Sequence, residues 1–160
     1  MNVILAVNGL WELGVNVANY KKTNPMENYT ISAELKSHFL RLYKMALSDD
    51  DFDVLELNML YHFAEERGIP QKELEKLLLN PIDHKSSIPE SKEERIEYLY
   101  DLSKMIWADE KITEDERNTL KKYCKKFEFQ DENIEQLAEY LLDCVQKGVT
   151  IEEILNHINS

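Results

Sequence analysis

The chain has 160 residues, of which 43% are hydrophobic and 31% charged, a balance typical of one globular domain and not of a fibrous or disordered protein. It carries 31 acidic and 19 basic residues, and the resulting formal net charge of −12 repels nucleic acids and anionic membranes. We therefore expect no nucleic-acid partner, and the charge favours cations and basic surfaces instead.

Residues 1–20 have the pattern of an N-terminal amphipathic helix. Polar side chains recur at helical spacing from Asn8 to Asn19, and apolar side chains such as Val3 and Val7 lie on other faces. No basic residue precedes the apolar stretch, so it does not read as a signal peptide. We expect this helix to pack on the core, with a surface anchor as the alternative. No stretch approaches the ~20 apolar residues of a membrane-spanning helix.

The first half of the remaining chain predicts three helices after a polar connector at 20–29. Only four glycines and four prolines are present and no alternating strand pattern occurs, which indicates an all-α fold. The acidic run 48–51 ends the first helix, Asp53 can cap the second, and Gly68 suits the left-handed turn that ends it. Pro70 fits the first turn of the third helix. The predicted helices span residues 31–45, 53–68 and 70–79.

The second half begins with a loop at 80–89, which contains two prolines and two serines. Three capping boxes follow, in which a serine or threonine precedes a glutamate by three residues. Asp131 is expected to cap a further helix that runs to Gly148. The capping boxes are Ser91–Glu94, Thr113–Glu116 and Thr150–Glu153. With the N-terminal segment included, we predict a compact bundle of about seven to eight helices.

An internal repeat is the most informative feature of the sequence. Residues 42–60 align with residues 102–120 without a gap, and seven of the nineteen positions are identical, where chance would give about one. We predict one domain over 31–160, made of two repeats at about 31–79 and 91–145 and a C-terminal helix, arranged as a pseudo-symmetric bundle. The identical pairs are Leu42/Leu102, Lys44/Lys104, Met45/Met105, Asp49/Asp109, Glu56/Glu116, Asn58/Asn118 and Leu60/Leu120.

Each repeat contains an acidic corner, in which an aspartate past one helix is followed seven residues later by a glutamate. The pairs are Asp49 with Glu56 and Asp109 with Glu116. Clustered carboxylates suit hard cations such as Ca²⁺ or Mg²⁺, so these four residues are candidate metal ligands. Helix capping is the alternative for both glutamates, because each lies at the third position of a helix. Capping does not explain the two aspartates.

Residues 105–116 resemble the helix-turn-helix signature of the tellurite-resistance TerB-like family, which runs Ala-Asp-Gly, one residue, Ile, three residues and Glu. The resemblance covers roughly residues 31–158. It implies a compact all-α domain that occurs with stress-response and phage-defence systems at the cytoplasmic face, and it allows peripheral contact with a membrane complex. It also implies that the paired acidic residues gather a divalent cation. Glu110 stands where the family has glycine, which implies either a less tight turn or an added ligand.

Other candidate chemistry is sparse. Cys124 and Cys144 lack CxxC spacing, which indicates buried reduced thiols and a cytoplasmic location. The four histidines, His38 among them, form no ligand spacing and are interpreted as structural or solvated. Four lysines within 121–126 predict a solvated helix face. No catalytic or nucleotide-binding motif occurs, so we expect no enzymatic activity, and the resemblance then implies a non-enzymatic TerB-like domain. The alternative is a structural protein-interaction module that binds no metal. Such a module could act as a homodimer.

Overall fold

A computed structural model describes residues 30–47, 54–80 and 87–160, and this part of the chain contains helices and connecting segments but no strands. The all-α prediction is thereby confirmed. The helices are α1 (Ala33–Ala46), α2 (Val54–Glu66), α3 (Gln71–Leu79), α4 (Lys92–Ile106), α5 (Glu114–Lys126), α6 (Asp131–Gln146) and α7 (Ile151–Asn159), with a 3₁₀ turn at Trp107–Asp109. Among these described helices, none is long and apolar enough to cross a membrane. The helix predicted at residues 1–20 lies outside the described residues.

Local signals set most helix starts. The side chains of Ser91, Thr113 and Thr150 each accept a hydrogen bond from the backbone N–H three residues later, as the capping boxes predict. The cap predicted at Asp131 is wrong. Gln130 already has the extended backbone of a cap residue, and Asp131 is the first helical residue, where its charge favours the positive end of the helix.

The two repeats are visible in the backbone. Helices α2 and α5 both have 13 residues, and they begin and end at positions sixty residues apart. Each is followed, two residues after its last helical residue, by a residue in the left-handed conformation, Gly68 with φ +66° and Glu128 with φ +62°. In each case the N–H of that residue donates to the carbonyl three residues earlier, at 3.0 Å. The turn predicted at Gly68 is confirmed, and its counterpart reaches the same conformation without glycine.

The core is built from the apolar positions that the repeats share. Leu42 and Leu60 of the first repeat and Leu102 and Leu120 of the second are completely buried. Helix α4 packs against both α1 and α2, so the repeats meet along α4. This packing brings side chains of the two repeats face to face at the middle of the domain.

Both cysteines are buried and free, as predicted from their spacing. Burial raises the pKa of the Cys124 thiol to about 12. A thiol with this pKa stays protonated at neutral pH and is a poor nucleophile. The two cysteines therefore act as small core side chains.

Candidate functional site

The second acidic corner follows α4 directly. Asp109 ends the 3₁₀ turn and is exposed, and its Oδ1 accepts a hydrogen bond from the Lys111 N–H at 3.0 Å. Capping does not explain this aspartate, since Thr113 caps the next helix, but a bond to the backbone two residues later stabilises a turn and gives Asp109 a local structural role. Glu110 takes the left-handed conformation, with φ 60° and ψ 24°. A glutamate thus adopts the backbone for which the family pattern has glycine.

Glu116 of the same corner completes a capping box. Its Oε2 accepts hydrogen bonds from the Thr113 N–H at 2.6 Å and from the Thr113 hydroxyl at 2.9 Å. The Glu116 N–H in turn donates to Thr113 Oγ1 at 3.2 Å. The capping alternative therefore describes what Glu116 does in this structure.

The first corner is only partly described. Asp49 lies outside the described residues, and Glu56 belongs to α2, with its side chain outside the described part. Within residues 30–47, 54–80 and 87–160, no three or more His, Cys, Asp or Glu side chains are grouped to hold a metal ion. Cation binding by Asp49, Glu56, Asp109 and Glu116 stays a prediction.

The lysines at 121–126 are more engaged than the sequence suggested. Lys121 pairs with Glu135 at 2.8 Å, and Lys125 pairs with Asp131 at 3.3 Å. The Lys126 ammonium lies 5.6 Å from the centre of the Tyr123 ring. The predicted solvated face is confirmed for Lys122, Lys125 and Lys126, which are exposed, and Lys121 and Lys125 in addition connect α5 to α6.

A buried polar cluster lies where the repeats meet. His38 is completely buried, and its Nε2 lies 2.8 Å from Asp101 Oδ2. Arg67 donates to the same carboxylate oxygen at 2.5 Å. The His38 ring stacks on Tyr98 with ring centres 3.9 Å apart and planes 6° from parallel. The prediction of an ordinary structural histidine missed this ion-paired cluster, whose members are far apart in sequence.

Burial governs the protonation of this cluster. It lowers the pKa of His38, and the hydrogen bond to Asp101 only partly opposes it. Burial alone would raise the pKa of Asp101, but His38 and Arg67 outweigh it and hold that pKa below the usual range. A carboxylate only accepts, so we assign the proton of neutral His38 to Nε2. His38 Nδ1 then has no hydrogen-bond partner among the described residues.

The buried cluster is also where the repeats differ. His38 and Tyr98 occupy equivalent positions, and so do Arg41 and Asp101. In one half of the contact, the Arg41 guanidinium lies 5.0 Å from the centre of the Phe127 ring. In the other half, Asp101 pairs with Arg67, which is the equivalent of Phe127. A cation–π contact in one half thus corresponds to a buried ion pair in the other.

Asp101 also lines an open cleft of about 420 Å³ between α4, the end of α2 and the start of α7. We call it the α4–α7 cleft. The Tyr100 hydroxyl donates to the Val149 carbonyl at 2.8 Å and holds the start of α7 beside α4. The lining residues are Glu66, Arg67, Glu97, Tyr100, Asp101, Lys104, Thr150, Ile151 and Glu152.

The cleft has excess negative charge. Four of its lining side chains are carboxylates and two are cations. Arg67 pairs with Asp101, and the Lys104 ammonium lies 4.9 Å and 5.1 Å from the centres of the Phe63 and Tyr100 rings. Neither Glu97 nor Glu152 forms an ion pair with another residue in the described part of the chain. The cations of the cleft are therefore already engaged, and two carboxylates lack an ionic partner there.

The environment of Glu97 reflects this imbalance. Burial raises the pKa of its carboxyl group. The nearby charge of Arg67 lowers this pKa, and the negative charges of Asp101, Glu94 and Glu152 raise it further. Sequence reasoning missed the cleft. The available signal was the spacing of Glu97 and Asp101, four residues apart and so on one face of a predicted helix.

Comparison of the chain with models of protein families, with curated proteins and with solved structures gives no match. The TerB-like resemblance therefore rests on residues 105–116 and on the repeat, and it stays a prediction.

Proposed function

We propose that this chain is a non-enzymatic interaction domain that binds a basic segment of a partner protein in the α4–α7 cleft. The observation that carries the proposal is a concave surface in which Glu97 and Glu152 lack an ionic partner among the described residues while its own cations are engaged. The net charge of −12 supports it, because a negative field steers basic partners toward the domain.

The position of Glu97 strengthens this proposal. An ion pair between fully exposed side chains stabilises by only about 0–1 kcal/mol, because water and salt screen it. Glu97 is partly buried, and its pKa is raised. A Lys or Arg side chain placed beside it would relieve the repulsion from Asp101 and Glu152, so we expect binding to lower the pKa of Glu97.

We assign no catalytic step to the cleft. His38, the buried imidazole next to Asp101, uses Nε2 for that carboxylate and is completely buried. The TerB-like resemblance agrees with a binding role in stress response or phage defence. We also propose a cytoplasmic location for the protein. The alternative, a structural interaction module, includes formation of a homodimer, and light scattering on the full chain measures this oligomeric state.

Calorimetry with a blocked heptapeptide of alternating serine and lysine tests the proposal. We expect the wild type to bind it more tightly than the same peptide with glutamate in place of lysine. Replacing Glu97 and Glu152 by glutamine should weaken binding roughly tenfold, since each charged contact contributes about 0.7 kcal/mol. The matched control replaces the exposed Glu65 and Glu132, which lie outside the cleft, by glutamine. Equal losses in both double variants would refute the cleft as the binding site.

A divalent cation at the acidic corners is the second candidate. Asp109 and Glu110 are exposed at the end of the 3₁₀ turn. The local hydrogen bonds take up Oδ1 of Asp109 and Oε2 of Glu116. The second oxygen of each carboxylate makes no hydrogen bond with the described residues, which supports a Ca²⁺ or Mg²⁺ ligand role.

Titration with CaCl₂ and MgCl₂, followed by NMR, tests this second candidate. We expect amide shifts at the corners of the wild type and none in the variant with Asp49→Asn and Asp109→Asn. The control is Asp143→Asn, an exposed carboxylate that pairs with Lys147. Absence of shifts at the corners of the wild type would rule out cation binding there and leave the cleft proposal untouched.

A further inference from the structure

In the first repeat, a segment of the chain itself covers the face of α1 that corresponds to the cleft. The Ser87 N–H donates to Ser37 Oγ at 2.9 Å, and the Arg41 guanidinium donates to the Ser87 carbonyl. Ser87 belongs to the non-helical stretch 87–89, just before α4. Ser37 and Arg41 are both buried, so this face of α1 holds a piece of main chain.

The equivalent positions in the second repeat line the cleft. Glu97 and Asp101 lie sixty residues after Ser37 and Arg41, in the same register of α4. The equivalence holds in space, because Arg41 contacts Phe127 and its counterpart Asp101 contacts Arg67, the counterpart of Phe127. In the described part of the chain, no backbone N–H donates to Glu97. The cleft is therefore the second copy of a surface that already holds main chain in the first repeat.

The chemistry of the two faces also corresponds. Where Ser37 offers a hydroxyl acceptor, Glu97 offers a carboxylate, and a hydrogen bond to an ionised acceptor is about twice as strong as a neutral one. At the position of Arg41 the second face has Asp101, which already holds the Arg67 guanidinium at 2.5 Å. The correspondence between the two faces therefore rests on the acceptor for a peptide N–H, which Ser37 and Glu97 place at equivalent positions.

We propose that the cleft binds its basic partner as a non-helical peptide segment, with one main-chain N–H donated to Glu97 and a basic side chain beside Glu152. This inference rests on the proposed function and adds the conformation of the ligand. A helical ligand fits poorly, because beyond its first turn every N–H is already bonded within the helix. A non-helical segment keeps its N–H groups available, as Ser87 does on α1.

An ester scan of the serine–lysine heptapeptide tests this inference. Each peptide of the scan replaces one amide by an ester, which removes one N–H donor and leaves the charges unchanged. We expect one position of the scan to weaken binding to the wild type roughly tenfold, the usual size for a hydrogen bond to a charged acceptor. The same ester should cost nothing in Glu97→Ala, because the acceptor is absent there.

Glu97→Ser is the second variant, since it installs the hydroxyl found at Ser37 and should retain the sensitivity to the same ester. If no ester weakens binding to the wild type, or if the loss persists in Glu97→Ala, the inference is overturned. A preference for the lysine peptide over the glutamate peptide would then still support the proposed function. Failure of every lysine peptide to bind would overturn both.

Discussion

The two repeats share a helical frame and differ in what they do with one face. In the first repeat, Arg41 lies over an aromatic ring and fixes the backbone of Ser87. In the second, Asp101 pairs with Arg67 and lines an open cleft. The shared apolar positions set the frame, and a few polar substitutions at equivalent positions separate a face covered by main chain from one that lines an open cleft.

Breaking the ion pair of the second repeat should have the largest effect. Asp101→Ala leaves His38 without its hydrogen-bond partner and Arg67 without its counter-charge in a buried site. Removing one partner of a buried pair costs about 3–5 kcal/mol. Urea denaturation measures this loss in the free energy of unfolding.

Two variants calibrate that result. Arg41→Met, at the equivalent position, loses the cation–π contact with Phe127 and the bond to Ser87, which together amount to about 2 kcal/mol. Asp143→Ala breaks the exposed pair with Lys147 and should cost at most about 1 kcal/mol. If Asp101→Ala costs no more than Asp143→Ala, the buried cluster does not hold the repeats together.

Acid should destabilise the domain through His38. Burial lowers the pKa of His38 in the folded state. Below the unfolded-state pKa of about 6.5, the unfolded chain therefore binds more protons than the folded chain, and the free energy of unfolding decreases as the pH is lowered. At pH 5 the loss reaches at most about 2 kcal/mol for this group. The lowered pKa of Asp101 adds a further loss only at more acidic pH, below its ordinary range.

His38→Gln removes this titration and retains a neutral side-chain donor for Asp101. We expect a flatter dependence of the unfolding free energy on pH between about 7 and 5, measured by urea denaturation at several pH values. The exposed His157 provides the matched control variant as His157→Gln, against which the slope of His38→Gln is compared. An unchanged slope in His38→Gln would show that the histidine does not control acid stability.

The smallest expected changes in stability are at Gly68 and Glu128, the left-handed residues that follow α2 and α5. Gly68→Ala introduces a side chain at φ +66° and should destabilise by about 1 kcal/mol. Glu128→Gly at φ +62° should stabilise by a similar amount, reduced by the loss of its 3.3 Å pair with Arg95. Thermal unfolding measures both changes, and shifts of the same sign would contradict equivalent turns in the two repeats.

Local sequence signals predicted much of the frame. Thr113 and Thr150 with their glutamates, and Gly68 after its helix, act within four residues, so their spacing alone indicates where helices begin or end. The gapless repeat predicted the equivalence of α2 and α5. Ser32, which caps α1 by accepting from the Leu35 N–H at 3.2 Å, is the same kind of signal, but the apolar spacing that predicted this helix does not indicate it.

The candidate site depends on packing between distant segments. Asp101 meets Arg67 and His38 only after α1, α2 and α4 assemble, and Glu152 reaches the cleft from α7. The spacing of Glu97 and Asp101 indicates that both lie on one face of a helix, but it does not distinguish a cleft from open surface. Which carboxylate lies beside α7 is a tertiary property, so the sequence of α4 alone does not predict it.

An NMR titration of the full chain with the serine–lysine heptapeptide tests the central claim most directly. The proposal predicts that amide shifts concentrate at Glu97, Asp101 and Glu152, and that the covered face at Ser37 and Arg41 stays unchanged. Shifts concentrated at the acidic corner over residues 109–116, or spread evenly over the acidic surface, would contradict the assignment of binding to the α4–α7 cleft.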